Sequence, residues 1–389
     1  MGDAGVFWRT GTYNFDIAAF SRKFMNDITD AQHGDGAFTD IAPDLLSPHP
    51  GAPGWSDAGV IVPYTAWLQY GDRSLVEEHW QAMERFLAFI QAGNPDFVRR
   101  NQLGENYADW LAPDPNTPRD LVATAYWALL AQMMQQMAAG TGHDAQPYAT
   151  LYEKIRSAYQ AAYVSADGTV KGNTQTAMLL TLYAGLAPET QRQAITEHLV
   201  ANIQTHGEHL TTGFLGTPFL LTTLAQNGQQ KVAYDLLLQQ TYPSWGYMLA
   251  KGATTWWERW NGDTGDPSMN SYNHYAFGSV VAWIYRSTIG IDVASGQGGF
   301  QKLRIQPIYT DRLSFARGSY ASVYGTVESG WTRLSDGRYH LRVKVPANVE
   351  ADVYVNGANS APEHIGSGVW EFDSKPQPTA PANMAGNAH

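Results

Sequence analysis

Apolar residues recur at helical spacing over about the first 290 positions of the chain. Val76, Trp80, Met83, Leu87 and Ile90 fall three or four apart, which puts them on one face of a helix. Ser74, followed three residues later by Glu77, reads as a capping box that starts it. A second helix opens at Thr117-Pro118, a cap followed by a proline at the first helical position. Val122, Tyr126, Leu129, Met133 and Met137 form its stripe, and Gly140 reads as its end. A third runs from Pro188 to His206, before Gly207. The same periodicity predicts helices over 5–31, 57–70, 145–163, 174–184, 216–226, 229–240 and 271–287.

Beyond Gly290 the period shortens to two. Leu303 and Ile305 alternate with polar residues, as do Tyr339, Leu341, Val343 and Val345. Asp336-Gly337 and Asn356-Gly357 are turn pairs of the hairpin type. The pattern predicts a helical domain over 1–292, an antiparallel β-sandwich over 293–373 and a disordered tail over 374–389, where Pro and Ala dominate. Ten or eleven helices at about 20-residue spacing suggest an (α/α)₆ barrel. A closed ring of six pairs needs twelve, so the expected barrel lacks its first helix.

Composition narrows the partners. Lys and Arg number 25 against 36 Asp and Glu, a net charge of −11. That balance disfavours nucleic acid and anionic membranes. No run of about 20 apolar residues exists to span a bilayer. The first residues lack the basic stretch and apolar core of a signal peptide, and an export signal upstream stays open, as does the compartment. With no cysteine, disulfides, thiolate metal sites and cysteine catalysis are excluded. No phosphate loop, serine elbow or metalloprotease helix is present, and no metal or cofactor is expected. The pair His206 and His209 has no metal-ligand context and reads as surface.

What remains is rich in rings: 13 Trp, 21 Tyr and 14 Phe. Long Gly/Pro/Asp-rich loops over 33–56, 93–116 and 251–270 carry Trp55, Trp110, Trp256, Trp257 and Trp260. Flat rings against C–H faces, with carboxylates against hydroxyls, suit a sugar. Glu258 lies among three of these tryptophans. Rings around an acid desolvate it and raise its pKa, which suits general acid or base work. A structural pairing of Glu258 with Arg259 or another arginine explains it equally. Asp57, next to Trp55, stands either at a sugar or as the cap of the following helix. Trp110 is either a stacking platform or a loop anchor, and His274 either bonds a hydroxyl or sits satisfied in the core.

Taken in order, these segments resemble the α-L-rhamnosidases of glycoside hydrolase family 78. The resemblance rests on Gly2-Asp-Ala-Gly-Val-Phe7 leading to Tyr13-Asn-Phe-Asp16, and on Pro53-Gly-Trp-Ser-Asp-Ala-Gly-Val-Ile-Val-Pro63. Asp109-Trp-Leu111, Thr212-Gly-Phe-Leu-Gly-Thr-Pro218 and Thr241-Tyr-Pro-Ser-Trp245 continue it. It ends with Gly252-Ala-Thr-Thr-Trp-Trp-Glu-Arg-Trp260 and Asn273-His-Tyr275. Such a family implies an (α/α)₆ barrel with flanking β-domains and inverting cleavage of terminal α-L-rhamnose. It implies Glu258 as general base and Asp3 as a sugar-binding carboxylate. Trp55, Asp57, Trp110, Trp257 and His274 fall at or beside its sugar contacts. Partners are then L-rhamnose-containing glycosides. The family's general acid is a Glu in Glu-Arg-x-Gly-Trp-x-Gly-Asp, and Met1 of this chain stands at the last x. That acid is absent from the sequence, so weakened hydrolysis is expected. A non-catalytic rhamnose-binding remnant and another (α/α)₆ glycosidase are the alternatives.

Overall fold

A computed structural model gives the fold for residues 1–45, 49–264, 271–294, 296 and 298–376. Among these, twelve α-helices follow one another: α1 (Gly2–Asn14), α2 (Ala18–Asp30), α3 (Ala58–Tyr70), α4 (Arg73–Gly93), α5 (Arg119–Thr141), α6 (Gln146–Tyr163), α7 (Gln175–Tyr183), α8 (Arg192–Thr205), α9 (Thr217–Gln226), α10 (Gln230–Leu237), α11 (Trp245–Ala250) and α12 (Val280–Trp283). They form two concentric rings. α1, α3, α5, α7, α9 and α12 each pack on the next, and α12 returns to α1, so the inner ring of the (α/α)₆ fold closes. Outside it, α4, α6, α8 and α10 lie on the inner helices that precede them, and α2 lies on α3.

Ring position explains where the apolar stripes are clear. Outer α4 keeps one buried face, including Val76, Trp80, Met83, Leu87 and Ile90. Inner α5 buries every residue from Leu121 to Ala131, and inner α7 every residue from Gln175 to Leu182. A helix enclosed on all sides has no solvent face to mark its period.

Several expected boundaries move, each for a local reason. The cap of α4 is Asp72, whose side chain accepts from the Leu75 amide at 3.1 Å, so Ser74 lies inside the first turn. Thr117 does not cap α5. Its hydroxyl pairs instead with that of Thr174 at 2.6 Å. Gly140 does not end α5 either. It lies within the helix because a Cβ there would come 2.3 Å from the Trp67 ring, and Gly142, at φ 93°, makes the left-handed exit. The stretch 5–31 breaks into α1 and α2 at Phe15–Ile17. The predicted helix over 271–287 is replaced by irregular chain to Tyr275, a 3₁₀ turn at Ala276–Ser279, α12, and a π-helical turn at Ile284–Ile289.

Two compact units result, one running from Met1 to Trp283, the other from Ile284 onward except for Gly296–Gly299, which belong with the first. The second holds two four-stranded sheets, with strands β1 (Ile291–Val293), β2 (Lys302–Ile305), β3 (Phe315–Ser322), β4 (Gly325–Arg333), β5 (Tyr339–Val345), β6 (Glu350–Val353), β7 (Glu363–Ile365) and β8 (Gly368–Asp373). One sheet has the order β1-β2-β6-β7 and the other β3-β4-β5-β8. All pairs are antiparallel except β2 with β6, which run parallel, against the wholly antiparallel expectation. Alternation is strict in β5, where Tyr339, Leu341, Val343 and Val345 are buried and the residues between them are not. Gly337, at φ 82°, makes the β4–β5 turn that Asp336-Gly337 foretells. The tail expected over 374–389 lies outside the described residues beyond position 376. No helix among the described residues is long and apolar enough to cross a membrane.

Candidate active site

The candidate residues share one topological feature: each lies in the first turn of an inner helix or in a loop that feeds one. Asp3 opens α1, residues 51–57 lead into α3, residues 107–112 precede α5, residues 211–216 lead into α9, and the segment 256–274 precedes α12.

The loop before α3 is built on a buried ion pair. Arg99 reaches Asp57 at 3.0 and 3.2 Å and the Gly51 carbonyl at 2.9 Å. Both side chains have zero exposure. Asp57 also accepts from the Gly54 amide at 2.7 Å. Asp57 stands at the N-cap position of α3 but makes no side-chain capping bond there, and its buried carboxylate has no surface to offer a sugar. Removing one member of such a pair strands a charge in the interior, at a cost of about 3–5 kcal/mol. Gly54, at φ 79°, lies where a Cβ would meet Leu215 at 2.6 Å, so this turn fits against the loop before α9 only as glycine.

Trp55 stands on this base, half-exposed. Its indole lies over Gly2, where a Cβ would approach within 2.4 Å. That contact sets the ring beside the Asp3 backbone. On its other side it meets Tyr107, with ring centroids 4.5 Å apart, and Tyr107 meets Trp110 edge-on at 5.9 Å. The Tyr107 hydroxyl donates to Asp40 at 2.7 Å. Trp55, Tyr107 and Trp110 thus form a continuous aromatic wall, of which Tyr107 was not singled out from the sequence.

Asp109 was missed as well. It is buried beneath the wall, and its carboxylate accepts from the amides of Gly213, Leu215 and Gly216 at 2.8–2.9 Å and from the Thr176 hydroxyl. Burial pushes its carboxyl up, while the four donors oppose that. It fixes the loop 211–216, in which the Phe214 amide also donates to the Trp110 carbonyl at 3.0 Å. The signal was available: Gly213-Phe-Leu-Gly216 presents successive amides before a helix, and buried amides require an acceptor. The Phe214 ring then supports His274, at 5.1 Å between centroids.

Trp256–Glu258 pairs with Ser271–His274. The Glu258 amide donates to the Ser271 carbonyl at 2.9 Å, and the His274 amide to the Trp256 carbonyl at 2.8 Å. The Ser271 amide donates to Glu258 Oε2 at 3.2 Å. Residues 265–270 between them lie outside the described residues. His274 Nε2 lies 3.5 Å from Asp3 Oδ2, with the two side chains 19% and 33% exposed. Burial pushes the Asp3 carboxyl up, His274 and then the N-terminal ammonium pull it down, and the charge of Glu258 adds a smaller push up. Asp3, His274 and Glu258 therefore share one electrostatic environment. Glu258 is half-buried, and no Lys or Arg pairs with it among the described residues, so the structural pairing with Arg259 does not form. Trp257 departs from its expected role. It is 6% exposed and packs on Gly262 and edge-on to Tyr272, while half-exposed Trp256 lies over Gly278.

A closed inner ring of six helices with outer helices packed on it, and with an aromatic wall, two carboxylates and a histidine on the segments that feed the inner ring, is a six-hairpin architecture. Residues 1–288 match the bacterial alpha-L-rhamnosidase 6 hairpin glycosidase domain, and residues 290–368 the bacterial alpha-L-rhamnosidase C-terminal domain. The chain belongs to this α-L-rhamnosidase family, glycoside hydrolase family 78. It is 42% identical over 359 residues to an alpha-L-rhamnosidase of Streptomyces avermitilis, covering 91% of this chain and 34% of that protein. It is 33% identical to one from Formosa agariphila, covering 92% and 40%. The crystal structure of the S. avermitilis enzyme complexed with L-rhamnose superposes with a TM-score of 0.91 at 40% identity, over 96% of this chain and 38% of that one. An α-L-rhamnosidase structure from Dictyoglumus thermophilum gives 0.87 at 31%, over 96% and 45%. The chain thus spans between a third and a half of the length of these relatives.

Proposed function

We propose that this chain forms the sugar-binding and base-bearing part of an inverting α-L-rhamnosidase acting on terminal, non-reducing α-L-rhamnose of flavonoid glycosides or saccharides. Inversion requires one carboxyl group to protonate the leaving oxygen and a second to take a proton from the attacking water, about 6.5–9.5 Å apart. Glu258 has the character of the second. Its one described side-chain bond is from the Ser271 amide, which leaves lone pairs for a water, and no Lys or Arg among the described residues pairs with it. The proton passes from water to Glu258 as the water oxygen bonds to the anomeric carbon and the bond to the leaving oxygen breaks.

Asp3 and His274 are suited to the sugar hydroxyls. The Asp3 charge also favours an oxocarbenium-like transition state. Trp55 and Trp110 offer ring faces to the apolar side of a deoxysugar. The family's acid glutamate has no counterpart in these 389 residues. Hydrolysis by the chain alone should then be weak, and weakest for substrates whose leaving group needs a proton.

The observation that carries this reading is the unpaired Glu258 sharing its environment with Asp3 and His274. Glu258→Gln should lower turnover of an aryl α-L-rhamnoside by about 10²–10⁴-fold with an unchanged melting curve, and the sugar released by the parent chain should be the β-anomer by NMR. Unchanged turnover would remove Glu258 from the base role, and an α-anomeric product would remove inversion.

A further inference from the structure

The outward face of the β3-β4-β5-β8 sheet carries a groove of about 800 Å³, lined among others by Phe315, Arg317, Glu328, Gly330, His340 and Arg342. Its volume falls within the roughly 300–1,000 Å³ of small-molecule sites. The strand register arranges its floor in rows. Arg317, Gly330 and Arg342 are direct neighbours across three strands, as are Ser319, Glu328 and Lys344 in the next row and Phe315, Thr332 and His340 in the row on the other side. Gly330 has no side chain, and a Cβ there would come 2.9 Å from the Arg317 Cβ, so the middle of the groove is a narrow notch against the Arg317 stem. Strands about 4.8 Å apart place Arg317 and Arg342 roughly 10 Å apart at the backbone.

On these three strands Arg317, Arg342 and Lys344 stand against one acid, Glu328, and β8 adds Glu371 opposite Arg342 and Asp373 opposite His340. Glu328 takes both Lys344 at 2.8 Å and Arg342 at 3.3 Å. On neighbouring β8, Asp373 pairs with Arg338 and His340, and Glu371 stands opposite Arg342 in register and 3.9 Å from His340, which leaves Arg317 as the cation without an acid beside it. Arg317 has no acidic partner among the described residues. Its guanidinium lies 5.8 Å from the centroid of the Phe315 ring, and Phe315 is 54% exposed. A sheet face that presents a large ring to water, a bare notch and an unpaired guanidinium is complementary to a ligand with an apolar face and a carboxylate.

We propose that this groove binds a short carboxylated saccharide of the uronate type. A pyranose ring would lie over Gly330 against Phe315, with its carboxylate on the forked donors of Arg317 and Arg342 and its hydroxyls on Ser319, Thr332 and Glu328. A polyphosphate or nucleic-acid ligand fits less well, because Glu328, Glu371 and Asp373 stand among the cations and the whole chain carries −11. The site is separate in sequence and in chemistry from the one around Glu258, and the two stand or fall independently.

The test is calorimetric titration of the whole chain at low salt with trigalacturonate, with maltotriose as neutral control and inorganic phosphate as plain anion. Trigalacturonate should bind at least tenfold more tightly than either control. Arg317→Ala, which removes the unpaired cation, and Gly330→Val, which fills the notch, should each weaken it at least tenfold. Arg317→Ala should leave aryl rhamnoside hydrolysis and the melting temperature as they are. If Gly330→Val does not fold, Arg317→Ala decides alone. Absence of trigalacturonate binding, binding equal to that of maltotriose or phosphate, or binding unaffected by Arg317→Ala would overturn the proposal.

Discussion

Two sets of carboxylates around the candidate site use the same residue types in opposite ways. On the aromatic wall, the carboxylates next to tryptophans are buried and saturated: Asp57 is locked to Arg99, and Asp109 holds three amides and a hydroxyl. Asp3, beside Trp55, and Glu258 are instead partly exposed and have few partners. A saturated buried carboxylate cannot accept a proton or a sugar hydroxyl without breaking the structure that holds it. An undersupplied one at the surface can do both. Proximity to a tryptophan in sequence therefore says little about whether an acid is architectural or chemical. The count of its donors and the water at its face decide.

Substitutions should separate the two sets. Asp57→Ala has the largest expected effect on stability, a loss of about 3–5 kcal/mol from stranding Arg99, read by urea unfolding. The double variant with Arg99→Ala should be less destabilised than the sum of the singles. Additive losses would mean that the pair is not coupled. Asp109→Asn should follow at about 2 kcal/mol, because three buried amides then compete for one amide oxygen. As a positioning residue behind Phe214, it should raise KM several-fold with a smaller change in kcat. A kcat loss without a KM change would contradict that chain of support.

Asp3→Asn should have the smallest effect on stability, and one of opposite sign. Burial raises the Asp3 carboxyl in the folded state, outweighing the pull of His274 and the N-terminal ammonium. The folded chain thus holds a proton that the unfolded chain has already released, and stability falls as pH rises through that window. The variant should be slightly more stable than the parent at pH 7, by a fraction of 1 kcal/mol given solvent screening of a side chain one-third exposed. The gain should fade below about pH 4, near the ordinary carboxylate value. Activity should nonetheless drop. A gain that persists at pH 3 would point to a cause other than this titration.

Much of the fold was legible from spacing: outer α6 and inner α3, α7 and α9 lie within a residue of their expected bounds. In α5 a tertiary contact misled the reading, because Gly140 faces the Trp67 ring inside the helix and Gly142 makes the exit. The stretch 271–275 was read as helix because its pairing with 256–258 is long-range and leaves no local mark. In the site, rings and acids within short motifs stood out, hence Trp55, Trp110, Glu258 and His274. Asp57 was misjudged because its partner Arg99 lies 42 residues away. Asp109 escaped because its amide donors lie more than a hundred residues on.

A crystal structure of the chain with bound L-rhamnose tests the contrast between the two sets most directly. The sugar should lie between the Trp55–Tyr107–Trp110 wall and the pair of Asp3 and His274, with Glu258 reaching its anomeric carbon through an ordered water, and with Asp57 and Asp109 out of contact. Rhamnose bound away from the wall, or hydrogen-bonded to Asp57 or Asp109, or with Glu258 turned from the anomeric carbon, would contradict it.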